Sequence, residues 1–212
     1  MLPDAPPAKK AKPKKAKLPA DHKESLEALL KRLGIADNWD ILVIGDGSGS
    51  NWNREAGWSA VSIERITGER QVWYGAMNRG TVNFAEIMAY LQPLGWLSAR
   101  EEEKRSSGKT RTRAYRVHII TDSDYCRQMG SSGKRGQVKN AALWAAFDVF
   151  RRQGFVLFWH WIPRASCGLN EYSDSLSKLA RLLVKKYNLQ ERLEEQAGDG
   201  ATVYEVNPSE SE

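Results

Sequence analysis

Apolar residues along this chain change rhythm several times, and each change marks an element. Between His22 and Ile35, Leu26, Leu29, Leu30 and Leu33 recur at helical spacing before Gly34, predicting a short amphipathic helix. The run WDILVIGDG is continuous rather than periodic, as suits a strand buried on both faces, with Asp46 near its end. Residues 56–63 and 70–77 are rich in Val, Ile, Trp and Tyr and flank the turn TGER, so they read as antiparallel strands following the first.

Thr81 or Asn83 can cap a helix whose Phe84, Ile87, Met88 and Leu91 fall at i, i+3, i+4 and i+7, with Glu86 off that stripe. Pro93 and Gly95 are expected to end it, leaving residues 99–114 as a charged, mobile connector. YRVHIITD predicts a fourth strand with His118, Ile120 and Asp122 on one face, as Leu42, Ile44 and Asp46 share a face of the first. If the two strands are parallel neighbours, their terminal carboxylates come side by side at the carboxyl end, where open α/β sheets bind ligands.

After the glycine-rich basic stretch GSSGKRGQVKN, a helix is expected over Ala141–Gln153 with Leu143, Trp144, Phe147 and Phe150 as its stripe, then a fifth strand over Phe155–Ile162. Asn170 caps a last helix in which Leu176, Leu179, Ala180 and Leu183 face inward. The order is strand, strand, strand, helix, strand, helix, strand, helix: an α/β chain.

Composition refines the ends. The stretch PPAKKAKPKKAKLPA has the composition of a disordered tail, so residues 1–20 read as a basic tail, 21–37 as the short helix and a linker, and 191–212 as an acidic tail. The net charge is +6, and the six lysines at 9, 10, 12, 14, 15 and 17 suit a non-specific grip on phosphates or a nuclear-import signal. Two cysteines without ligand spacing indicate neither a disulfide framework nor a zinc site, which fits a reduced, cytoplasmic setting. No apolar run approaches the roughly 18 residues of a membrane span, and no membrane partner is expected.

Four carboxylates, Asp46, Glu86, Asp122 and Asp174, sit in four segments, each where an apolar element begins or ends. Taken singly, Asp46 and Asp122 read equally as strand-end turn residues, Glu86 reads as a solvated helix residue, and Asp174 as a first-turn carboxylate favoured by the helix dipole. Gathered, they would repel unless cations neutralised them, so a useful reason to collect four is to hold hard divalent metals such as Mg²⁺. Two such ions can activate a water and stabilise the leaving oxygen of a phosphodiester displacement.

The ordered motifs DGSG, TVNFAE, TDSDY and NEYSD resemble the type 1 ribonuclease H family over roughly residues 38–186. The resemblance implies a ribonuclease H-like domain over 38–190: a five-stranded mixed sheet, its first three strands antiparallel and the rest parallel, flanked by helices. It implies that Asp46, Glu86, Asp122 and Asp174 hold two Mg²⁺ ions, with Mn²⁺ as a substitute. Gly47, Ser48, Asn83 and Ser123 resemble residues that meet the minor groove and ribose hydroxyls of RNA. Arg79, Thr81 and Asn140 resemble a pocket for a DNA phosphate, and Trp144 a core tryptophan.

The implied activity is hydrolysis of the RNA strand of an RNA–DNA hybrid by a monomer, leaving 5′-phosphate and 3′-hydroxyl ends. A nuclease for another structure, such as branched DNA, and a silent nucleic-acid-binding module are the alternatives. Two departures stand out. Arg164 occupies the place, six residues before Asn170, where the family usually has a loop histidine, and it is a candidate to hold the scissile phosphate. His160, four residues upstream, reads as a packed or edge histidine. The stretch between Asp122 and Trp144 is short beside relatives that carry a helix and basic handle there, a role assigned instead to residues 9–17.

Overall fold

Ser25 accepts the Ala28 N–H and so caps α1 (Leu26–Arg32), whose Leu29 is fully buried beside Leu42, Ile44 and Ile120. The computed structural model describes residues 24–35, 37–50, 55–108, 113–133 and 139–186, and the backbone of 204 and 205. The basic tail and the lysines at 9–17 lie outside them. The apolar run becomes β1 (Ile41–Gly49), paired antiparallel to β2 (Ala56–Glu64), which pairs antiparallel to β3 (Arg70–Met77). Helix α2 (Val82–Ser106) crosses to β4 (Tyr115–Thr121), and α3 (Asp124–Ser132) and α4 (Ala141–Arg152) lead to β5 (Phe155–Trp161) and α5 (Gly168–Lys186).

The sheet has the order β5-β4-β1-β2-β3, with β4 parallel to both β1 and β5, as expected for the mixed sheet. A two-residue strand, β6 (Tyr204–Glu205), adds antiparallel to β3 inside the stretch read as an acidic tail. The alternation along β1 sorts two cores. Ile41 and Val43 join Val117 and Ile119 under α2 and α4, whereas Leu42 and Ile44 join Ile120 and Leu29 on the opposite face. Trp144 is fully buried against Phe147 and Trp159, and its Nε1–H donates to the Tyr125 hydroxyl at 3.1 Å.

Three expectations are corrected. Helix α2 does not end at Pro93 but runs 25 residues through it, so residues 99–106 are helix rather than connector. Pro93 forfeits one backbone bond, but buried Leu94 and Leu97 hold the next turns to the core, and buried Glu101 accepts the Tyr115 hydroxyl and Lys104. Helix α3 stands where no helix was expected, capped by Ser123, whose Oγ accepts the Cys126 N–H, and closed by Gly133 at φ 63°. In α5 the buried line is Ser173, Ser177, Ala180 and Val184, while Leu179 is 53% exposed.

That line of small residues follows from the closeness of α5 to the sheet. A Cβ on Gly57 of β2 would stand 2.2 Å from the Ser177 carbonyl and 2.5 Å from the Arg181 nitrogen, both backbone atoms. Ser59 Oγ donates to the Ser173 carbonyl at 2.6 Å and Ser173 Oγ to the Ile44 carbonyl at 3.3 Å, so hydroxyls rather than leucines fill the seam. No helix among the described residues is long and apolar enough to cross a membrane.

Replacing Gly57 by Ala is expected to lower stability by about 3 kcal/mol, because α5 must lift from the sheet. Gly95→Ala, inside α2 with open space around its Cβ position, is expected to raise it by up to about 1 kcal/mol. Thermal and urea melts of both variants check the pair.

Candidate active site

Parallel pairing of β1 and β4 aligns Ile44 with Ile120, and carrying that register two residues on brings Asp46 and Asp122 abreast. The third carboxylate comes from α2. Thr81, not Asn83, caps that helix, its Oγ1 accepting the Phe84 N–H at 3.2 Å. A Cβ on Gly47 would lie 2.3 Å from the Glu86 nitrogen, so glycine is required for the first turns of α2 to press on β1. Asp46, Glu86 and Asp122 each offer an oxygen within 4.8 Å of the others.

Asp46 and Glu86 are buried and Asp122 is half-buried, and the cluster is incompletely satisfied. Asp46 Oδ2 accepts the Ser177 hydroxyl at 2.7 Å, but Glu86 Oε2 and Asp122 Oδ2 are buried without a hydrogen-bond partner among the described residues. Burial pushes Asp46 up to about 7; the Ser177 bond opposes this, and the charges of Asp122 and Asp174 add to it. Burial raises Glu86 well above the carboxylate range, reinforced by Asp46 and Asp122. Burial also raises Asp122, against the charge of Arg164 and the neighbouring Asn170 amide. Bare, hard oxygens on mutually repelling carboxylates fit a divalent cation such as Mg²⁺.

Asp174 stands apart from this trio. Its two oxygens are taken by Arg164 Nη2 and Lys178 Nζ. Burial pulls its pKa upward, but those two cations prevail and hold it below the usual range. Asn170 is fully buried within α5, which starts at Gly168, so it does not cap the helix. Its Oδ1 instead accepts the Ala165 N–H at 2.7 Å, fixing a non-glycine residue at φ 55° directly after Arg164. Asn170 thereby secures the loop that carries Arg164.

The remaining expected site residues sit at or near the ends of their elements. Gly47 and Ser48 lie in the last part of β1, Arg79 and the exposed Asn83 flank the Thr81 cap, and Ser123 caps α3 just after Asp122. Asn140 opens α4 at φ 61° with no side-chain cap bond. His160 is a packed histidine: its Nε2 lies 3.0 Å from His118 Nδ1, and burial lowers the pKa of both rings, His118 to about 4. Sequence reasoning missed Ser177 and Lys178, the groups that touch Asp46 and Asp174. The signal was their position three and four residues after Asp174 on one helix.

Folded-state pKa values above the unfolded value, near 4, mean that the metal-free protein loses stability as pH rises from about 4 through 7, when the folded cluster must give up protons it holds more tightly than the unfolded chain. Glu86→Gln is expected to raise the melting temperature of the metal-free protein at pH 8 and to shrink the stabilisation that Mg²⁺ gives the wild type. Differential scanning calorimetry with and without Mg²⁺ at pH 5.5 and 8 tests both.

No family model matches the chain. A ribonuclease H from Chelativorans sp. (strain BNC1) is 31% identical over 160 residues, spanning 69% of this chain and 88% of that protein. Among solved structures, the N-terminal RNase H domain of Rv2228c from Mycobacterium tuberculosis, a fusion with maltose-binding protein, matches 71% of this chain and 99% of its own with a TM-score of 0.52 at 20% identity. LC11-RNase H1, isolated from compost, matches in its complex with an RNA/DNA hybrid with a TM-score of 0.54 at 18% identity, over 69% of this chain and 99% of that one. The structural likeness carries the fold, the sequence identity carries the kinship, and the chain belongs to the ribonuclease H family.

Proposed function

We propose that this chain hydrolyses the RNA strand of RNA–DNA hybrids with two divalent cations, leaving 5′-phosphate and 3′-hydroxyl ends. The observation that carries the reading is the trio Asp46, Glu86 and Asp122, the first two buried and the third half-buried, with two buried carboxylate oxygens lacking any hydrogen-bond partner among the described residues. A nucleic-acid partner is supported by the hybrid bound to LC11-RNase H1.

Asp46, Glu86 and Asp122 would hold one cation, and Asp46 with Asp174 a second. Bound there, divalent cations lower the pKa of an attacking water and offset charge on the departing 3′ oxygen. Ser177 keeps Asp46 oriented through its hydroxyl. Asp122 is steadied from β5, where Trp161 Nε1–H donates to its carbonyl at 3.1 Å. Gly47 and Ser48 follow Asp46 on β1, Asn83 precedes Glu86 by three residues on α2 and Ser123 follows Asp122, and these four would read the ribose hydroxyls. Arg164, exposed and ion-paired to Asp174, would meet the scissile phosphate.

Purified protein with a labelled RNA–DNA hybrid and Mg²⁺ should cleave the RNA strand, and Asp122→Asn should lower the rate by at least about a thousandfold, on the scale of lost transition-state charge stabilisation. Duplex RNA, single strands and branched DNA serve as controls. Cutting of branched DNA in preference to the hybrid, or wild-type cleavage by the variant, would refute the reading. The lysines at 9–17 serve as a non-specific phosphate grip. Deleting residues 1–20 should weaken hybrid binding and flatten its dependence on salt by several phosphates' worth of slope. An unchanged slope would show that the tail plays no such part.

A further inference from the structure

Asp174 differs from the other three carboxylates in one physical respect: both of its oxygens already carry a cation supplied by the chain. Arg164 Nη2 meets Oδ1 from the loop before α5, and Lys178 Nζ meets Oδ2 from one turn further along the same helix. Asp174 is largely buried, at 16% side-chain exposure, whereas Arg164 is 65% and Lys178 49% exposed. The carboxylate is therefore fixed and its two partners can retract into solvent. By contrast, the trio of Asp46, Glu86 and Asp122 has bare oxygens and no Lys or Arg in an ion pair with it among the described residues.

We propose that Lys178 is a positioning residue that sets the affinity of the second cation site. Resting on the function proposed above, this assigns the two sites different readiness. The trio is open to a cation as it stands. A cation that uses Asp174 must first displace the Lys178 ammonium from Oδ2, and the cost of breaking that ion pair is subtracted from its affinity. The two sites then fill in order as divalent cation concentration rises, and the internal ammonium keeps Asp174 neutralised and aimed until the second cation arrives. The i, i+4 spacing of Asp174 and Lys178 makes the arrangement local to one helix and independent of the Arg164 loop.

The probe is Mn²⁺, titrated into the full-length protein at constant ionic strength, with free Mn²⁺ counted by electron paramagnetic resonance and heat recorded by calorimetry. Wild type should show a tighter and a weaker site. Lys178→Met should tighten the weaker site by roughly fivefold, the scale of a half-exposed ion pair, and leave the tighter one unchanged. Lys178→Arg should restore the wild-type isotherm. Thermal melts establish that each variant is folded. A folded Lys178→Met protein whose weaker site is unchanged or weakened overturns the proposal, as does tightening of both sites alike. Failure of wild type to bind Mn²⁺ at all, or binding that Asp122→Asn leaves intact, would overturn the parent reading, and the role of Lys178 with it.

Discussion

Backbone closeness at two glycines governs this molecule. Gly47 lets the first turns of α2 lie against the end of β1, and Gly57 lets α5 lie against β2, each at distances that no side-chain carbon would permit. Helices pressed from two sides onto one strand end bring Glu86 and Asp174 toward Asp46 without long side chains having to reach. The parallel register of β1 and β4 adds Asp122 from the third direction. Precision at the site is thus a property of backbone packing, which is stiff, rather than of rotamers, which are soft.

The packing concentrates negative charge where water cannot screen it. Burial raises Asp46, Glu86 and Asp122, neighbouring carboxylates add to it, and hydrogen bonds around the cluster hold its framework in place. The serine line of α5 bonds to β1 and β2, Asn170 ties down the Arg164 loop, and Tyr90 donates to the Gly45 carbonyl at 2.9 Å one turn beyond Glu86. Of the four carboxylates, only Asp174 is ion-paired to cations of the protein among the described residues. The uneven distribution of compensation separates a trio waiting for an external charge from a fourth carboxylate already neutralised.

Much of this was legible in the sequence because periodicity reports burial directly. The five strands fall where apolar runs predicted them, and the face shared by Leu42, Ile44 and Asp46 in β1 is the face shared by His118, Ile120 and Asp122 in β4. What the sequence hid was tertiary. Pro93 signals a helix end locally, yet contacts made by Leu94, Leu97 and Glu101 outweigh one missing backbone bond. Leu176 and Leu179 advertise an apolar stripe on α5, but a seam as tight as that at Gly57 admits Ser173 and Ser177 instead. Asn170 looks like a cap by residue type, and its true partner, the Ala165 N–H, lies in a loop whose left-handed turn no local pattern announces.

The central claim is that Asp46, Glu86 and Asp122 form a divalent-cation site. Anomalous diffraction from crystals soaked in Mn²⁺ tests it most directly. A strong peak within metal–oxygen bonding distance of all three carboxylates is the predicted result. Manganese bound elsewhere on the protein, with that position empty at saturating concentration, would contradict it.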